Sequence, residues 1–403
     1  MDLTPIAPTA GATQRMGLEV EMLGFDAQTF APLGLPEARL SPQSLLTRMH
    51  ELSPGSHLKV DSPTGVVVGL ELAGGNFSLE PGGQVEYATS PHATLSELLE
   101  DLVGGLRLLE EAAAGQAVFL DHGTNPVADA ELPLLVPKHR YQILTRYFAS
   151  QPGGRGIDMM RYSATSQPNL DIPDGWADAV RLTLALTPAA RALFANSRYF
   201  HGRRTGPGSE RQRIWAAIDA SRTGIPPIAQ APDLAQAYAE WAENAYVFLV
   251  GDLPLEEQPL YGELRFKDWA SEGYRGTHPG GADWETHLAT LFPDLRLRRF
   301  LEIRMVDAQT YEHALAPMAF WATVLQQAEH RERVWRHVQD EPIKLLELAA
   351  ELAQDDLASK SLRAYLRWVE AREQLDYPAA GLDFVKATAT RSPASQLLSV
   401  VGV

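Results

Sequence analysis

Glutamates at positions 19 and 21, and again at 80 and 86, stand at spacings that put carboxylates side by side on extended chain. In Met16-Gly17-Leu18-Glu19-Val20-Glu21-Met22, the residues Met16, Leu18, Val20 and Met22 alternate with Gly17, Glu19 and Glu21. Strand side chains point alternately to opposite faces, so the two glutamates share one face and the aliphatic residues pack behind it. Neighbouring carboxylates repel unless positive charge lies between them, and a divalent cation is the usual answer.

The pattern recurs in three further segments. Phe77 and Leu79 face one way and Asn76, Ser78 and Glu80 the other; Pro81-Gly82-Gly83 is a turn signal, and Gln84 and Glu86 are the polar members of the returning strand. Thr165, Gln167, Asn169 and Asp171 alternate with Ala164, Ser166, Pro168 and Leu170. Pro168 has no N–H to give a ladder, so this strand is expected at a sheet edge or a bulge. Leu301, Ile303 and Met305 alternate with Glu302, Arg304 and Val306. A solvated antiparallel face gives the same alternation, but such faces mix in lysine, and none of the four segments contains one. The oxygen-rich set suits Mg²⁺ or Mn²⁺, with the Gln167 amide as a neutral ligand.

The elements that must carry these residues follow from periodicity. A short helix is expected over 40–52. Thr94-Leu95-Ser96-Glu97 has the capping-box pattern, followed by Leu98, Leu102, Leu106 and Leu109 at helical spacing. One helix is expected from Trp176 to Leu186 and a second, opened by Thr187-Pro188, to Phe194. Residues 202–210 and Tyr274 to Gly281 read as loops, and from Tyr311 the chain is helical almost to its end, with Pro342 starting a fresh helix. Strands early and late among helices suit an α+β layer. Residues 1–403 are read as one large catalytic domain, with 311–403 a mostly helical C-terminal part packed on it.

Composition narrows the function. Across 403 residues, 35 Lys and Arg face 51 Asp and Glu, a formal charge of −16, which argues against nucleic acid as a partner. A phosphorylated small molecule is still compatible, because bound metal supplies local positive charge. The absence of cysteine removes disulfides, thiolate metal sites and cysteine nucleophiles. No apolar run approaches a membrane span, and Met1 to Gln14 lacks the basic and apolar parts of a signal peptide. The expectation is a cytoplasmic protein with no membrane partner, monomeric or homodimeric.

Seven segments in collinear order, over about Met16 to Trp335, then point to a family. They are Gly17-Leu18-Glu19-Val20-Glu21; Ser78 through Glu86; Pro137-Lys138-His139-Arg140-Tyr141; Gln167 through Asp171; Leu193-Phe194-Ala195-Asn196-Ser197; Arg211 through Trp215, continuing to Arg222-Thr223-Gly224; and Leu301 through Arg304 with Asp307. Together they resemble the plant-type glutamate–cysteine ligases, carboxylate–amine ligases related in fold to glutamine synthetase. The resemblance implies a glutamine synthetase/guanido kinase-like fold, an antiparallel sheet curved into a half-barrel with metal and ATP on its concave face and helices on the other. It places Glu19, Glu21, Glu80, Glu86, Gln167 and Glu302 on metal-binding positions, and Arg304 and Asn196 on ATP-binding ones. Arg304 and Glu302 fall on the catalytic positions, and Arg211, Trp215 and Arg222 on the substrate side.

The implied chemistry is phosphorylation of the γ-carboxylate of glutamate by ATP, then attack by an amine, cysteine above all, in the first step of glutathione-type thiol synthesis. The chain departs from the plant pattern after Arg304, where it reads Met305-Val306-Asp307-Ala308, and its 262–281 segment matches only through Phe266 and Trp269. The acceptor therefore stays open between cysteine and another amine. Two further readings stay open beside the ligase: a regulatory nucleotide- and metal-binding relative, and a generic two-metal phosphohydrolase that would not need Arg211. No histidine pair has the spacing of a zinc helix site, and Gly153-Gly154-Arg155-Gly156 lacks the Gly-Lys-Ser/Thr ending of a phosphate loop.

Overall fold

The computed structural model describes residues 2–8, 13–127, 132–172, 174–206, 208–372 and 382–401. Its centre is an open antiparallel sheet of nine strands. These are β1 (Met16–Asp26), β2 (His57–Asp61), β3 (Val66–Glu71), β4 (Asn76–Leu79), β5 (Val85–Ala88), β6 (Ala117–Leu120), β7 (Ser166–Leu170), β12 (Leu295–Leu297) and β13 (Leu301–Ile303). The order is β12-β13-β7-β1-β5-β4-β3-β2, with β6 paired to the second half of β1. Two-stranded pairs lie outside it: β8 (Tyr199–Phe200) with β9 (Arg203–Arg204), and β10 (Thr223–Gly224) with β11 (Phe292–Pro293).

The alternation of β1 is realised as drawn. Met16, Leu18, Val20 and Met22 are buried in the main core, while Glu19 and Glu21 are half-buried on the other face. The Pro81-Gly82-Gly83 turn closes a β4–β5 hairpin that sets Ser78 opposite Glu86, and β1 sets Glu21 opposite Glu86 in turn. Behind the apolar face pack α1 (Pro42–Leu52), α2 (Leu95–Ala113) and α10 (Ala316–Leu325). The capping box of α2 forms as its sequence specifies: Thr94 Oγ1 accepts from the Glu97 amide at 3.2 Å and the Glu97 carboxylate accepts from the Thr94 amide at 3.1 Å. The polar face is overlain by α3 (His139–Ala149), α4 (Gly156–Tyr162) and α6 (Glu210–Ala216).

Two expectations fail, each for a local reason. β7 lies inside the sheet, between β1 and β13, and not at an edge. Leu18, opposite Pro168, spends its amide and carbonyl on Thr89, so Pro168 stands at a non-bonded position of the β1 ladder. Its missing N–H faces β13, whose pairing reaches only Asn169 and Leu170. The two helices expected on either side of Thr187-Pro188 are one, α5 (Trp176–Leu193). Thr187 Oγ1 donates back to the Thr183 carbonyl at 2.9 Å instead of capping a new helix. Burial of Val180, Leu184, Leu186, Ala190 and Leu193 along one face holds the helix through the proline.

The remaining helices are α7 (Leu234–Glu243), α8 (Phe266–Glu272), α9 (Gly281–Ala289), α11 (Ala328–Trp335), α12 (Pro342–Leu352), α13 (Asp356–Ala371), α14 (Leu382–Thr388) and α15 (Pro393–Val401). In the C-terminal part, α10 packs on β7, α12 on α5 and α15 on α2. Among the described residues, no helix is long and apolar enough to cross a membrane.

Candidate active site

The polar face of the sheet floors a cavity of about 340 Å³. Glu19, Glu21, Glu80, Glu86 and Gln167 line it together with Arg211, Trp215 and Arg304. The carboxylates are only partly answered. Glu19 accepts from Gln167 Nε2 and Asn169 Nδ2, both at 2.9 Å; Glu21 accepts from the Thr165 amide at 3.0 Å; Glu86 accepts from Ser78 Oγ at 2.7 Å; Glu80 accepts from the Tyr141 hydroxyl at 3.2 Å. Burial pushes Glu19 up to about 7, assisted by the charge of Glu302, and Glu21 up to about 8, assisted by Glu80. Burial also raises Glu86 well above the carboxylate range, with Glu19, Glu80 and Glu21 adding repulsion. This is a crowd of acids that wants a cation.

Two arginines line the same cavity. Arg211 and Trp215 project from the same face of α6, one turn apart, with the guanidinium carbon 5.0 Å from the indole centroid. Arg304 stands 5.9 Å from the same ring. Its Nη1 donates to the Gln167 side-chain oxygen, so Gln167 bridges Arg304 and Glu19. Arg211 Nε, Trp215 Nε1 and Arg304 Nε are buried without a hydrogen-bond partner among the described residues. Unpaired donors of this kind are costly unless a ligand completes them.

Glu302 is placed differently from the other acids. It is buried behind the cavity wall, held by both arms of the Arg296 guanidinium and by Arg304 Nη1 at 2.5 Å, with Arg298 3.7 Å away. Burial alone would raise its pKa, but Arg296 and then Arg304 hold it down at about 2. Both of its oxygens are engaged, so it anchors arginines in this structure.

A metal of the expected kind is tested by the donors present. Glu19, Glu21, Glu80 and Glu86 are hard oxygen ligands on one face, and the buried Asn169 Oδ1 beside them lacks a partner among the described residues, which fits Mg²⁺ or Mn²⁺ in type. Among the described residues, no three acidic or histidine side chains close to coordinating distance of one point. The acids share the face while standing apart.

The glutamate-cysteine ligase family 2 model matches residues 15–385. The chain belongs to that family. Chloroplastic glutamate–cysteine ligase of Arabidopsis thaliana is 33% identical over 338 residues, covering 77% of this chain and 59% of the relative. The Nicotiana tabacum enzyme is 30% identical over 332 residues with the same coverage, and that of Oryza sativa subsp. japonica 30% over 339 residues, covering 79% and 64%. The chain thus spans about 60% of the length of these relatives. A solved glutamate–cysteine ligase of Francisella tularensis, in complex with AMP, shares the fold at a TM-score of 0.50 and 12% identity, over 98% of this chain and 92% of that one. The expectation of a cytoplasmic protein is overturned here, since the plant members are chloroplastic by name.

Two site expectations for this family member are corrected by the geometry. Arg222 does not reach the cavity. It is fully buried, with Nε on Asp219 at 2.9 Å, Nη1 on the Thr290 carbonyl at 2.7 Å and Nη2 on the Tyr246 carbonyl, so it braces the core. Asn196 lines a separate small pocket, and its amide donates to the Asp121 and Ala308 carbonyls at 3.0 and 2.8 Å. Lys138, Arg140, Arg296 and Arg298 line the cavity without having been singled out by role. For Arg296 the signal was available: Leu295-Arg296-Leu297 alternates like its partner strand and sets Arg296 opposite Glu302 across the hairpin.

Proposed function

We propose that the chain is an ATP-dependent ligase that forms a γ-glutamyl amide through γ-glutamyl phosphate, with cysteine as the acceptor amine. The observation that carries this reading is the single cavity in which four partly unanswered carboxylates face Arg211 and Arg304. A carboxylate is a poor acyl donor, and transfer of the ATP γ-phosphoryl turns its oxygen into a leaving group. Arg211, with its planar fork and unpaired Nε, is suited to hold a substrate carboxylate, and Trp215 packs against the guanidinium and orients it. Arg304, fixed by Glu302 and Gln167, places positive charge where the transferring phosphoryl develops negative charge. Glu19, Glu21, Glu80 and Glu86 would hold Mg²⁺ or Mn²⁺, with Asn169 and Gln167 beside them. When bound, the metal offsets phosphate charge and aligns the in-line displacement. Glu302 is free to join that set only if Arg296 lets go of one of its oxygens.

The sheet is taken to be the half-barrel of a glutamine synthetase-like fold, with residues 1–403 acting as one catalytic unit and the helical part from 311 packed on it. Supporting this are the AMP-complexed structural neighbour and the packing of α1, α2 and α10 behind the apolar face, opposite the carboxylates. The reading is tested by ADP release from ATP, Mg²⁺ and glutamate, with and without a panel of amines. Cysteine-dependent release with formation of γ-glutamylcysteine is expected. Stimulation by a different amine would keep the ligase and replace the acceptor, and absence of turnover with every acceptor would overturn it.

A further inference from the structure

Asp307 is a buried carboxylate that the proposed chemistry does not use. It follows β13, is 1% exposed, and meets three donors: the Asn196 amide at 2.8 Å, Ser197 Oγ at 2.7 Å and Ser209 Oγ at 2.8 Å. Arg211 Nη1 lies 3.8 Å away.

The two serines point onward. Because each hydroxyl gives its proton to Asp307, its oxygen is left to accept. Ser209, the N-cap of α6, accepts from the Gln212 amide at 2.9 Å, and Ser197 accepts from the Arg211 amide at 3.0 Å. One carboxylate thereby orders both hydroxyls under the first turn of α6, where a negative charge is also favoured by the helix dipole. The backbone makes room for it: a Cβ at Gly123 would lie 2.7 Å from the Cβ of Asp307.

We propose that Asp307 is a positioning residue for Arg211, fixing α6 through Ser197 and Ser209 and the guanidinium through charge, so that Arg211 meets the substrate carboxylate in one orientation. The proposal rests on the reading of Arg211 as the substrate clamp. Arg211 sits 2% exposed at the cavity wall, where Nη2 also donates to the Arg304 carbonyl at 3.1 Å and the guanidinium packs on Trp215. Removing the charge of Asp307 would leave the guanidinium without its nearest anion and free both serine hydroxyls to turn.

The test is steady-state ADP release by the full chain carrying Asp307→Asn, Arg211→Lys or both. In Asp307→Asn the KM for glutamate should rise roughly tenfold to a hundredfold while the KM for ATP stays within about twofold. The double variant should be no worse than Arg211→Lys alone, as expected of residues acting through one contact. Ser209→Ala, a milder change in the same relay, should shift the glutamate KM in the same direction and decides the matter if Asp307→Asn does not fold. A glutamate KM unchanged in Asp307→Asn or Ser209→Ala, with Arg211→Lys raising it, overturns the proposal alone. A parallel loss in both KM values and kcat also overturns it, by making Asp307 merely structural. An unchanged glutamate KM in Arg211→Lys overturns the clamp reading and this proposal with it.

Discussion

Each acid on the floor of the cavity is stabilised or strained by what stands within a few ångströms of it, and the two conditions predict opposite mutational outcomes. Glu86 is crowded by Glu19, Glu80 and Glu21, and among the described residues only Ser78 donates to it. Glu86→Gln should therefore stabilise the metal-free protein by about 1 kcal/mol in urea unfolding with EDTA present, while the stabilisation gained on adding Mg²⁺ shrinks. An unchanged Mg²⁺ effect would remove Glu86 from the metal set. Glu302 is the reverse case, a buried anion answered by Arg296 and Arg304. Glu302→Gln leaves both cations without their partner and should cost about 3–5 kcal/mol of stability as well as turnover. Glu19→Gln should abolish turnover with the unfolding midpoint held, and near-normal activity at saturating Mg²⁺ would count against the site.

At the scale of elements, the turn between β4 and β5 is the most exacting piece, because it delivers Glu80. Gly82 is there for contact and not for dihedral freedom: a Cβ would lie 2.1 Å from the Arg161 carbonyl oxygen, a backbone atom that cannot rotate away. Gly82→Ala should push the turn off α4 and lower turnover at least tenfold, with the KM for Mg²⁺ rising, since misplacement by about 1 Å is enough for such losses. Wild-type kinetics in that variant would show that Glu80 can be moved without consequence. The same elements mark what was legible in the sequence. Period-two alternation was enough to place Glu19, Glu21, Glu80 and Glu86 on one face, because one residue of slip would bury all four. The α2 capping box was legible because its signal is local. Pro168 and Thr187-Pro188 were misread because their outcome depends on partners: where the β13 ladder stops, and which core face α5 must bury. Arg222 carried a family motif, yet its partners Thr290, Tyr246 and Tyr147 lie where only the folded chain brings them.

For the whole molecule, acid stability should depend on whether the carboxylate face is neutralised. His287, His122 and His313 are buried, and burial lowers them to about 3, 4 and 4. His287 gives Nε2–H to the Ala242 carbonyl at 2.8 Å against the ring of Phe266, and His122 faces the Thr124 carbonyl at 2.7 Å. Their folded pKa values lie below the unfolded value near 6.5, so the native state binds fewer protons. Their contribution is complete above pH of about 6.5 and falls as pH drops, at up to about 1.4 kcal/mol per pH unit for each. Glu19 and Glu21 act with the opposite sign. Held up at about 7 and 8 in the folded chain, they take up protons before their unfolded counterparts, so stability recovers as pH falls from about 8 towards the ordinary carboxylate range. Without metal the two glutamates offset two of the three histidines between pH of about 6.5 and 4.5, so the urea midpoint should fall there by only about one proton's worth. Saturating Mg²⁺ holds the glutamates ionised and is itself displaced by protons, so the midpoint should then fall steeply below about pH 6.5. His287→Gln should reduce that slope by about one proton's worth. Superimposable pH profiles with EDTA and with Mg²⁺ would mean that the acids on this face bind no cation.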